Sequence, residues 1–493
     1  MLFQKLTEAA RSAPRSGISE GGLLHTYDAM LEPISRLAGG FAARGIEPGD
    51  TVALLLPNSI ALFEVTHALF ALGAVALPLN PAASPRELEL AARRCGVKAI
   101  VAGGRSADAA HTLASHLAPG IPVYRSDASD DNSLEALKRY PVPSLAPIDP
   151  DSHAIYLSSS GSTGRPKTVA FTQRTVLDGG LHSTGLLGIT PEDRAFNSLP
   201  SFTSFGFLTF VGGEMLRGGT TILWSDPQPL VMSRSRMLEA MAAEAITVLP
   251  GVPFLYDLLV SAPEDVDLGR IRMAYSSGVA MRKPTFDAFL SRYRIPIRQA
   301  YGSTETAMVS LNTESDATAT WDTVGMPLMP VSVEVVPAPG MPDTGVGELF
   351  VKKPGLTPGY IGGDAASLAT MKNGGWMTGD LGFIGEDGLL RVTGRSKLII
   401  EVAGMKVDPI EIEDALVSHP AVEEAAVLGV PDPRTGEQQI KAVVVLKDDA
   451  TAAVLLRHVR GKLAAYKVPA LLEFRDALPR SGSGKILRGQ LLD

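Results

Sequence analysis

One polar stretch of the chain has the residue types that bind phosphate. It reads YLSSSGSTGRPK from Tyr156 to Lys167, with serines and a threonine around two glycines and a lysine at its end. Glycines let backbone N–H groups turn toward one point, hydroxyls add donors, and the lysine adds a positive charge. The apolar run before it, His153 to Leu157, is typical of a strand. The stretch therefore predicts a phosphate-binding loop after a strand, although a polar, mobile loop would have a similar composition.

The lysines do not match the Walker phosphate loop, which requires G-x-x-x-x-G-K-[ST] at the start of a helix. Lys167 follows Pro166 rather than glycine. Lys485, in RSGSGKIL, has Pro479 at the position of the first glycine and is followed by Ile486. The chain is therefore not predicted to be a Walker-type NTPase.

The composition is that of a globular protein without an excess of positive charge. The chain has 493 residues, of which 45% are hydrophobic and 20% charged, a net charge of −8 and one cysteine, Cys95. This balance argues against a nucleic-acid partner, and a single cysteine excludes an internal disulfide and favours a reducing compartment. We see no signal peptide and no apolar run of about 18 residues. We therefore expect a cytoplasmic protein without a membrane span, in which Cys95 is structural.

Apolar runs typical of buried strands alternate with helical patterns through the first three-quarters of the chain. Strands are predicted at Thr51 to Leu55, Val75 to Leu79, Ala99 to Val101, Thr220 to Trp224 and Ile246 to Leu249, and helices at Ile60 to Leu72 and Pro85 to Arg94. This alternation predicts an α/β fold with largely parallel sheets. From about residue 323 to 395, short strands broken by glycine and proline indicate a small β-rich subdomain within a first domain of residues 1–395.

Residues 396–493 have the pattern of a compact α+β domain. Helices are predicted at Pro409 to Ser418 and Ala452 to Tyr466, and strands at Ala425 to Val430 and Ile440 to Leu446. We place the domain boundary at Ser396 and Lys397.

Four further segments give the phosphate loop a context. They are YGSTET at Tyr301 to Thr306, GWMTGDLG at Gly375 to Gly382, GRSKLIIEVAGMKVDPIEIE at Gly394 to Glu413 and PRSGSGKILR at Pro479 to Arg488. In this order and spacing they resemble the adenylate-forming superfamily, which includes acyl-CoA synthetases, peptide-synthetase adenylation domains and beetle luciferases. The resemblance covers nearly the whole chain and is closest to the stand-alone acyl-CoA or aryl-CoA ligases.

The resemblance implies a reaction in two halves that uses ATP, Mg²⁺ and CoA. A carboxylate attacks the α-phosphate of ATP to give an acyl adenylate and pyrophosphate, and a thiol then displaces AMP. The residues that would bind ATP and AMP are Ser159, Ser160, Gly161, Ser162, Thr163, Lys167, Gly278, Val279, Ala280, Tyr301, Gly302, Thr304, Asp380 and Arg395. Tyr301 would stack on adenine, and Asp380 would accept from the ribose hydroxyls. Thr304 would donate to the α-phosphate, and Glu305 would hold Mg²⁺ through carboxylate oxygen.

The resemblance also implies a C-terminal lid domain that rotates about a hinge at Lys397. In one orientation Lys485 would bridge the substrate carboxylate and the α-phosphate and offset their repulsion, so the implied catalytic residues are Lys485, Thr304 and Glu305. In the other orientation a loop would replace it, in which Gly404 leaves room for the pantetheine of CoA.

Three positions depart from the usual pattern of the superfamily. Thr168 stands in place of a glycine, and Gln173 in place of a histidine. Thr203, in LPSFTSFGF, replaces the histidine on the wall between the ATP site and the acyl tunnel, which predicts a wider or differently polar pocket mouth. No carboxylate in this segment could pair with a substrate ammonium, so amino acids are not expected as substrates.

The predicted acyl pocket is mostly apolar. Its lining residues are Phe202, Thr203, Phe205, Phe207, Met308, Val309 and Val324. This lining favours a hydrophobic carboxylic acid, aliphatic or cyclic, of medium or larger size. The same side chains could instead pack the core.

The leading prediction is an ATP-dependent carboxylate–CoA ligase. The alternative is an enzyme that loads the acyl group onto a separate acyl carrier protein. An oxygen-dependent luciferase and a non-catalytic acyl- or nucleotide-binding homologue are less favoured. Mere binding would not need Thr304, Glu305, Asp380, Arg395 and Lys485 together.

Overall fold

The computed structural model describes most of the chain. The described residues are 1–159, 167–226, 228, 230–327, 329–337, 345–363, 370–395, 398, 400–402, 405–433, 438–463, 465–481 and 486–492. They fall into two compact units, one of Met1–Ser332 with Val351–Trp376, the other of Val333–Phe350 with Met377–Asp493. The segment expected to be a β-rich subdomain of the first domain is thus divided between the units. The predicted boundary at Ser396 and Lys397 lies outside the described residues and stays a prediction.

Local sequence signals start and stop the helices of the first unit. These helices are α1 Leu2–Ser12, α2 Tyr27–Ala43, α3 Ile60–Leu72, α4 Pro85–Arg94, α5 Ala107–Leu117, α6 Leu134–Leu137, α7 Gln173–Leu186, α8 Ser204–Leu208, α9 Leu230–Ala243, α10 Pro253–Val260 and α11 Lys283–Tyr293. Helix α3 begins after Ser59, whose hydroxyl accepts from a backbone N–H, and ends at Gly73 with φ of 77°. Helix α4 begins with a capping box of Ser84 and Glu87.

Two large sheets form the centre of the first unit. One contains β1 Gly17–Glu20, β2 Leu23–Thr26, β9 Arg194–Asn197, β10 Thr220–Leu223, β11 Val248–Gly251, β12 Met273–Ser276, β13 Ile297–Ser303 and β14 Ala307–Leu311, in the order β14-β13-β12-β11-β9-β10-β1-β2. The other contains β3 Thr51–Leu55, β4 Val75–Pro78, β5 Val97–Ala102, β6 Val123–Arg125, β7 His153–Ser159, β8 Lys167–Thr172 and β17 Gly359–Tyr360, in the order β17-β8-β7-β4-β3-β5-β6. Interior strands pair in parallel and are buried, whereas β2, β8, β14 and β17 pair antiparallel.

Smaller sheets account for the remaining strands. One sheet joins β15 Ser332–Pro337, β16 Gly347–Lys352, β18 Met371–Lys372, β19 Gly375–Ile384 and β20 Leu390–Arg395. The second unit also has the hairpin of β21 Ile400–Val402 and β22 Met405–Val407, the sheet of β23 Val422–Pro431, β24 Gln438–Leu446 and β25 Leu471–Phe474, and helices α12 Pro409–Val417 and α13 Ala452–Arg460. Both helices contribute to one apolar core with β23 and β24.

The α/β fold with largely parallel sheets is confirmed, and several element boundaries differ from the predicted ones. The helix expected to reach Tyr466 ends at Arg460, because Gly461 weakens helix propensity there, and a separate 3₁₀ turn follows at Ala465–Lys467. The strand expected from Ile246 begins at Val248, since Ala245 still adopts a left-handed turn conformation with φ of 48°. None of the described helices combines the length and apolarity that crossing a bilayer requires.

The segment that follows α8 contains a buried carboxylic acid. Glu214 has 1% of its surface exposed, and burial raises its pKa to about 7. The folded chain therefore holds this proton at pH values where an unfolded glutamate has lost it, so stability contributed by the protonated form is lost as pH rises toward 7. We expect Glu214→Gln to leave the free energy of unfolding little changed near pH 4.5. The same variant should raise it by on the order of 2–3 kcal/mol at pH 8.

Urea denaturation of both proteins across this pH range measures the effect. If the difference in the free energy of unfolding between variant and wild type does not change with pH, the expected role of Glu214 is contradicted.

Candidate active site

The YGSTET segment forms a tight turn between β13 and β14. The N–H of Ser303 donates to Thr306 Oγ1 at 3.0 Å, and the N–H of Thr306 donates to Ser303 Oγ at 3.2 Å. A Cβ on Gly302 would lie 2.1 Å from a carbonyl oxygen across the turn, so this position needs glycine. The reciprocal bonds brace the turn that carries Thr304 and Glu305.

Tyr360 joins the lysine of the phosphate loop to the carboxylate of this turn. Its hydroxyl donates to Glu305 Oε1 at 2.8 Å, and Lys167 Nζ lies 4.6 Å from the centroid of its ring. The ring packs on Trp376 at 5.6 Å between centroids, and its backbone pairs with β8 opposite Val169. The Lys167 ammonium and the Glu305 carboxylate therefore both contact the side chain of Tyr360. An ammonium group suits a polyphosphate, and a carboxylate suits the cation that accompanies it.

The predicted acyl-wall segment reaches the same turn. The Oγ of Ser204, the first residue of α8, lies 3.1 Å from Thr304 Oγ1. Thr203 is the N-cap of α8: its hydroxyl donates to the Pro200 carbonyl at 2.8 Å and accepts from the Gly206 N–H at 3.1 Å. The residue that replaces the usual histidine therefore uses its hydroxyl to start a helix.

The residues expected around adenine lie at one edge of the eight-stranded sheet. Gly278, Val279 and Ala280 follow β12, and Tyr301 lies near the end of β13, which is the parallel neighbour of β12. Gly278 adopts φ of 89°, and Val279 is 52% exposed, whereas Tyr301 is buried. Ligands of open α/β sheets bind at this carboxyl edge of the strands.

The predicted acyl-pocket residues separate into two groups. Phe205 and Met308 pack against one apolar cluster, which includes residues of β9, β11, β12, β13 and β14. The ring centroids of Phe205 and Tyr275 lie 5.9 Å apart. Phe207 is fully buried in the larger core that contains Phe63 and α3. Three further members of the predicted lining are buried or half-buried: Val309, Val324 and Phe202. Phe205 and Met308 are therefore together, and Phe207 is not with them.

In the second unit, the predicted ribose residues form an ion pair across a strand pair. Asp380 on β19 lies opposite Arg395 on β20, and Arg395 Nε donates to Asp380 Oδ1 at 2.6 Å. The carboxylate is buried, with 9% of its side-chain surface exposed, while the arginine is 41% exposed.

Several predicted site residues lie outside the described part of the chain. They are Ser160, Gly161, Ser162, Thr163, Lys397, Gly404 and Lys485, and Ser159 is described only as the last backbone position of β7.

The other two departures from the superfamily pattern, Gln173 and Thr168, also have structural roles. Gln173 is fully buried, accepts from the Leu2 N–H at 3.2 Å and donates to the Phe70 carbonyl at 3.4 Å, so it fastens α1 to α3. Thr168 is buried in β8 and hydrogen-bonds the thiol of Cys95. Burial raises the pKa of Cys95 to about 11, so the thiol stays protonated at neutral pH, as in a structural cysteine.

Sequence reasoning missed Tyr360 and Ser204. In the sequence alone, a tyrosine after Pro-Gly and a serine at the start of a helix do not indicate a functional role. Their importance appears only because Tyr360 reaches Glu305, 55 residues away, and Ser204 reaches Thr304, 100 residues away.

Comparison with known proteins places this geometry in a family. The model of the AMP-binding enzyme family matches residues 7–361, and that of the AMP-binding enzyme C-terminal domain matches residues 411–485. The chain belongs to the AMP-binding enzyme family.

Individual relatives support this family assignment. A feruloyl-CoA synthase of an Amycolatopsis species is 32% identical over 98% of this chain and 96% of its own length. A sulfoacetate–CoA ligase of Cupriavidus necator is 30% identical over 96% of this chain and 93% of its own length. The o-succinylbenzoate CoA synthetase of Bacillus subtilis, solved with ATP and magnesium ion, has a TM-score of 0.85 at 26% identity and covers 99% of both chains.

The predicted adenylate-forming enzyme, an AMP-forming acid–thiol ligase that uses ATP, Mg²⁺ and CoA, is thereby confirmed. The predicted class of acid and the predicted role of each residue stay predictions.

Proposed function

We propose that this protein joins a hydrophobic carboxylic acid to CoA through an acyl adenylate. The observation that supports it most is the convergence of Lys167, Tyr360 and Glu305 on the turn that also carries Thr304. The turn continues directly into Met308, next to the apolar cluster with Phe205. The residues proposed to bind phosphate, the metal cation and the acyl group therefore lie close to one turn, between β13 and β14.

The ATP half of the reaction needs donors where negative charge accumulates. We assign Lys167, with the loop from Ser159 to Thr163, to the departing pyrophosphate, and the hydroxyl of Thr304 to the α-phosphate. Ser204 orients that hydroxyl, since the two oxygens lie 3.1 Å apart. Tyr301 and the backbone of residues 278–280 hold the adenine.

We assign Mg²⁺ to the Glu305 carboxylate, because a hard cation prefers oxygen ligands and Tyr360 fixes the orientation of this carboxylate. When bound, Mg²⁺ neutralises charge on the triphosphate. In the second unit, Asp380 accepts from the ribose hydroxyls, and Arg395 holds it through the 2.6 Å ion pair. We also assign to Lys485 the bridge between the carboxylate and the α-phosphate, to Lys397 the hinge, and to Gly404 the path of CoA.

The acyl half favours an apolar acid that contains a ring. Phe205 and Met308 pack against one apolar cluster, and Phe207, which stays a predicted lining residue, is buried in the larger core. The Thr203 hydroxyl is used in the N-cap of α8, and this side chain brings no charge to the entrance of the proposed acyl pocket. A feruloyl-CoA synthase among the relatives is named for an aromatic acid, which is consistent with this class. A cytoplasmic location stays a prediction.

A product assay tests the proposal. The purified protein is incubated with ATP, Mg²⁺, CoA and a panel of short, long, aryl and polycyclic carboxylic acids, and products are identified by mass spectrometry. We expect AMP and acyl-CoA from a narrow set of cyclic or aryl acids. Acyl-AMP without acyl-CoA would point to an acyl carrier protein as acceptor. Turnover only of small, highly charged acids would contradict the assigned substrate class.

A further inference from the structure

A buried lysine that no part of the resemblance assigns supports the YGSTET turn from behind. Lys353 directly follows β16 and has 8% of its surface exposed. Its Nζ donates to the Thr306 carbonyl at 2.8 Å and to the Met308 carbonyl at 3.1 Å. One ammonium group thus holds both ends of the three-residue stretch that leaves the turn and enters β14.

The residue between these two carbonyls is strained. Ala307 has φ of 51°, in the left-handed region that residues with a Cβ avoid. The strand pair is also irregular at this point, where the register shifts between Tyr301 and Gly302. A strained turn persists only where its surroundings hold it, and the two bonds from Lys353 are placed to do so.

The lysine is buried at an energetic cost. Burial lowers its pKa to about 8, and the opposing attraction of Asp178 on α7 only partly restores it. A buried cation is tolerated when hydrogen bonds satisfy it, so the two carbonyls are part of what keeps this group in place. The same segment makes further contacts with the turn: the Thr357 N–H donates to the Glu305 carbonyl at 3.4 Å, and Tyr360 donates to its carboxylate at 2.8 Å.

We propose that Lys353 is a positioning residue that holds the strained turn in its working shape. Through Thr306 it sets the place of Thr304 and Glu305, and through Met308 it sets the acyl wall. A shift of this turn would therefore disturb the geometry of adenylation more than the binding of ATP. The inference rests on the proposed roles of Thr304 and Glu305.

Steady-state ATP–pyrophosphate exchange of three variants tests it. Lys353→Met shortens the side chain by one atom and removes the ammonium that donates to both carbonyls. Lys353→Gln has the same length as Met but retains an amide that can donate to a carbonyl. Lys372→Met changes an exposed lysine of the same unit and is the matched control. Hydrogen bonds to a charged group contribute about 1.5–3 kcal/mol. We accordingly expect kcat of the Met variant to fall about 10- to 100-fold, and KM for ATP to change less than about threefold.

The kcat of Lys353→Gln should lie between those of wild type and Lys353→Met, and the kcat of Lys372→Met should equal that of wild type. Assays are run below the unfolding temperature of every variant, with folded protein verified by circular dichroism. A kcat of the Met variant within twofold of wild type overturns the proposal, as does a Gln variant no better than Met. If the Met variant does not fold, the Gln variant decides: a lowered kcat at unchanged KM supports the proposal, and an unchanged kcat overturns it. A wild-type protein that adenylates no acid would instead overturn the proposed function.

Discussion

Adenylation by the Lys485→Ala variant is expected to be about 10²–10³-fold slower than by the wild-type protein, because one preorganised contact to developing negative charge is lost. The substrate carboxylate and the α-phosphate are both anionic, and a compact ammonium between them offsets their repulsion. In the proposed mechanism the lid carries this lysine away before the thiol attacks. Thioester formation from a supplied acyl adenylate should therefore keep most of its wild-type rate.

The two half-reactions are measured separately, by pyrophosphate exchange and by CoA consumption with synthetic acyl adenylate. Lys447→Ala, which changes an exposed lysine of the same unit, is the control and should match wild type in both. Equal losses in both half-reactions for Lys485→Ala would mean that the residue acts on structure or on both steps, and would reject its assigned role.

The Glu305→Gln variant is expected to lose adenylation by a similar factor, about 10²–10³ at a fixed Mg²⁺ concentration. The amide keeps the shape of the side chain and can still accept from Tyr360, so the change isolates the negative charge. Because the proposed defect is weak Mg²⁺ binding, the Mg²⁺ concentration that gives half-maximal rate should rise more than about tenfold.

Tyr360→Phe provides a graded comparison. It removes the 2.8 Å hydrogen bond to Glu305 but leaves the ring that packs on Trp376 and faces Lys167. We expect the rate of adenylation to fall about 10-fold to 100-fold, which is less than for Glu305→Gln, since one hydrogen bond to a charged group is removed. Tyr466→Phe, in the second unit, is the control. If Glu305→Gln shows unchanged Mg²⁺ dependence, Glu305 is not the metal residue, whatever its effect on rate.

Much of the fold could be predicted because its signals are local. Strand β3 and helices α3 and α4 have the predicted bounds, since buried parallel strands are continuous apolar runs and serine caps and a terminal glycine mark the helix ends. Boundaries failed where a single backbone conformation decided them, as at Ala245, whose positive φ no residue type signals.

The site was predictable only as far as its motifs extend. Order and spacing of the glycine-rich and acidic segments indicated the superfamily and the motif that contains Thr304 and Glu305. The same reasoning grouped Phe207 with Phe205, although the two side chains lie in different cores. Residues two apart at the start of a short helix point in different directions, and one chain does not show which face meets the ligand.

The sequence by itself determined the class of chemistry, because the motifs that mark the family consist of particular residue types in a particular order and spacing. Only the tertiary structure decided which side chains hold that machinery in place. Tyr360 reaches Glu305, Lys353 reaches the carbonyls around Ala307, and Ser204 reaches Thr304 across 45 to 100 residues of chain. These contacts depend on how sheets and helices pack, and packing brings together residues whose separation along the chain carries no signal of their contact.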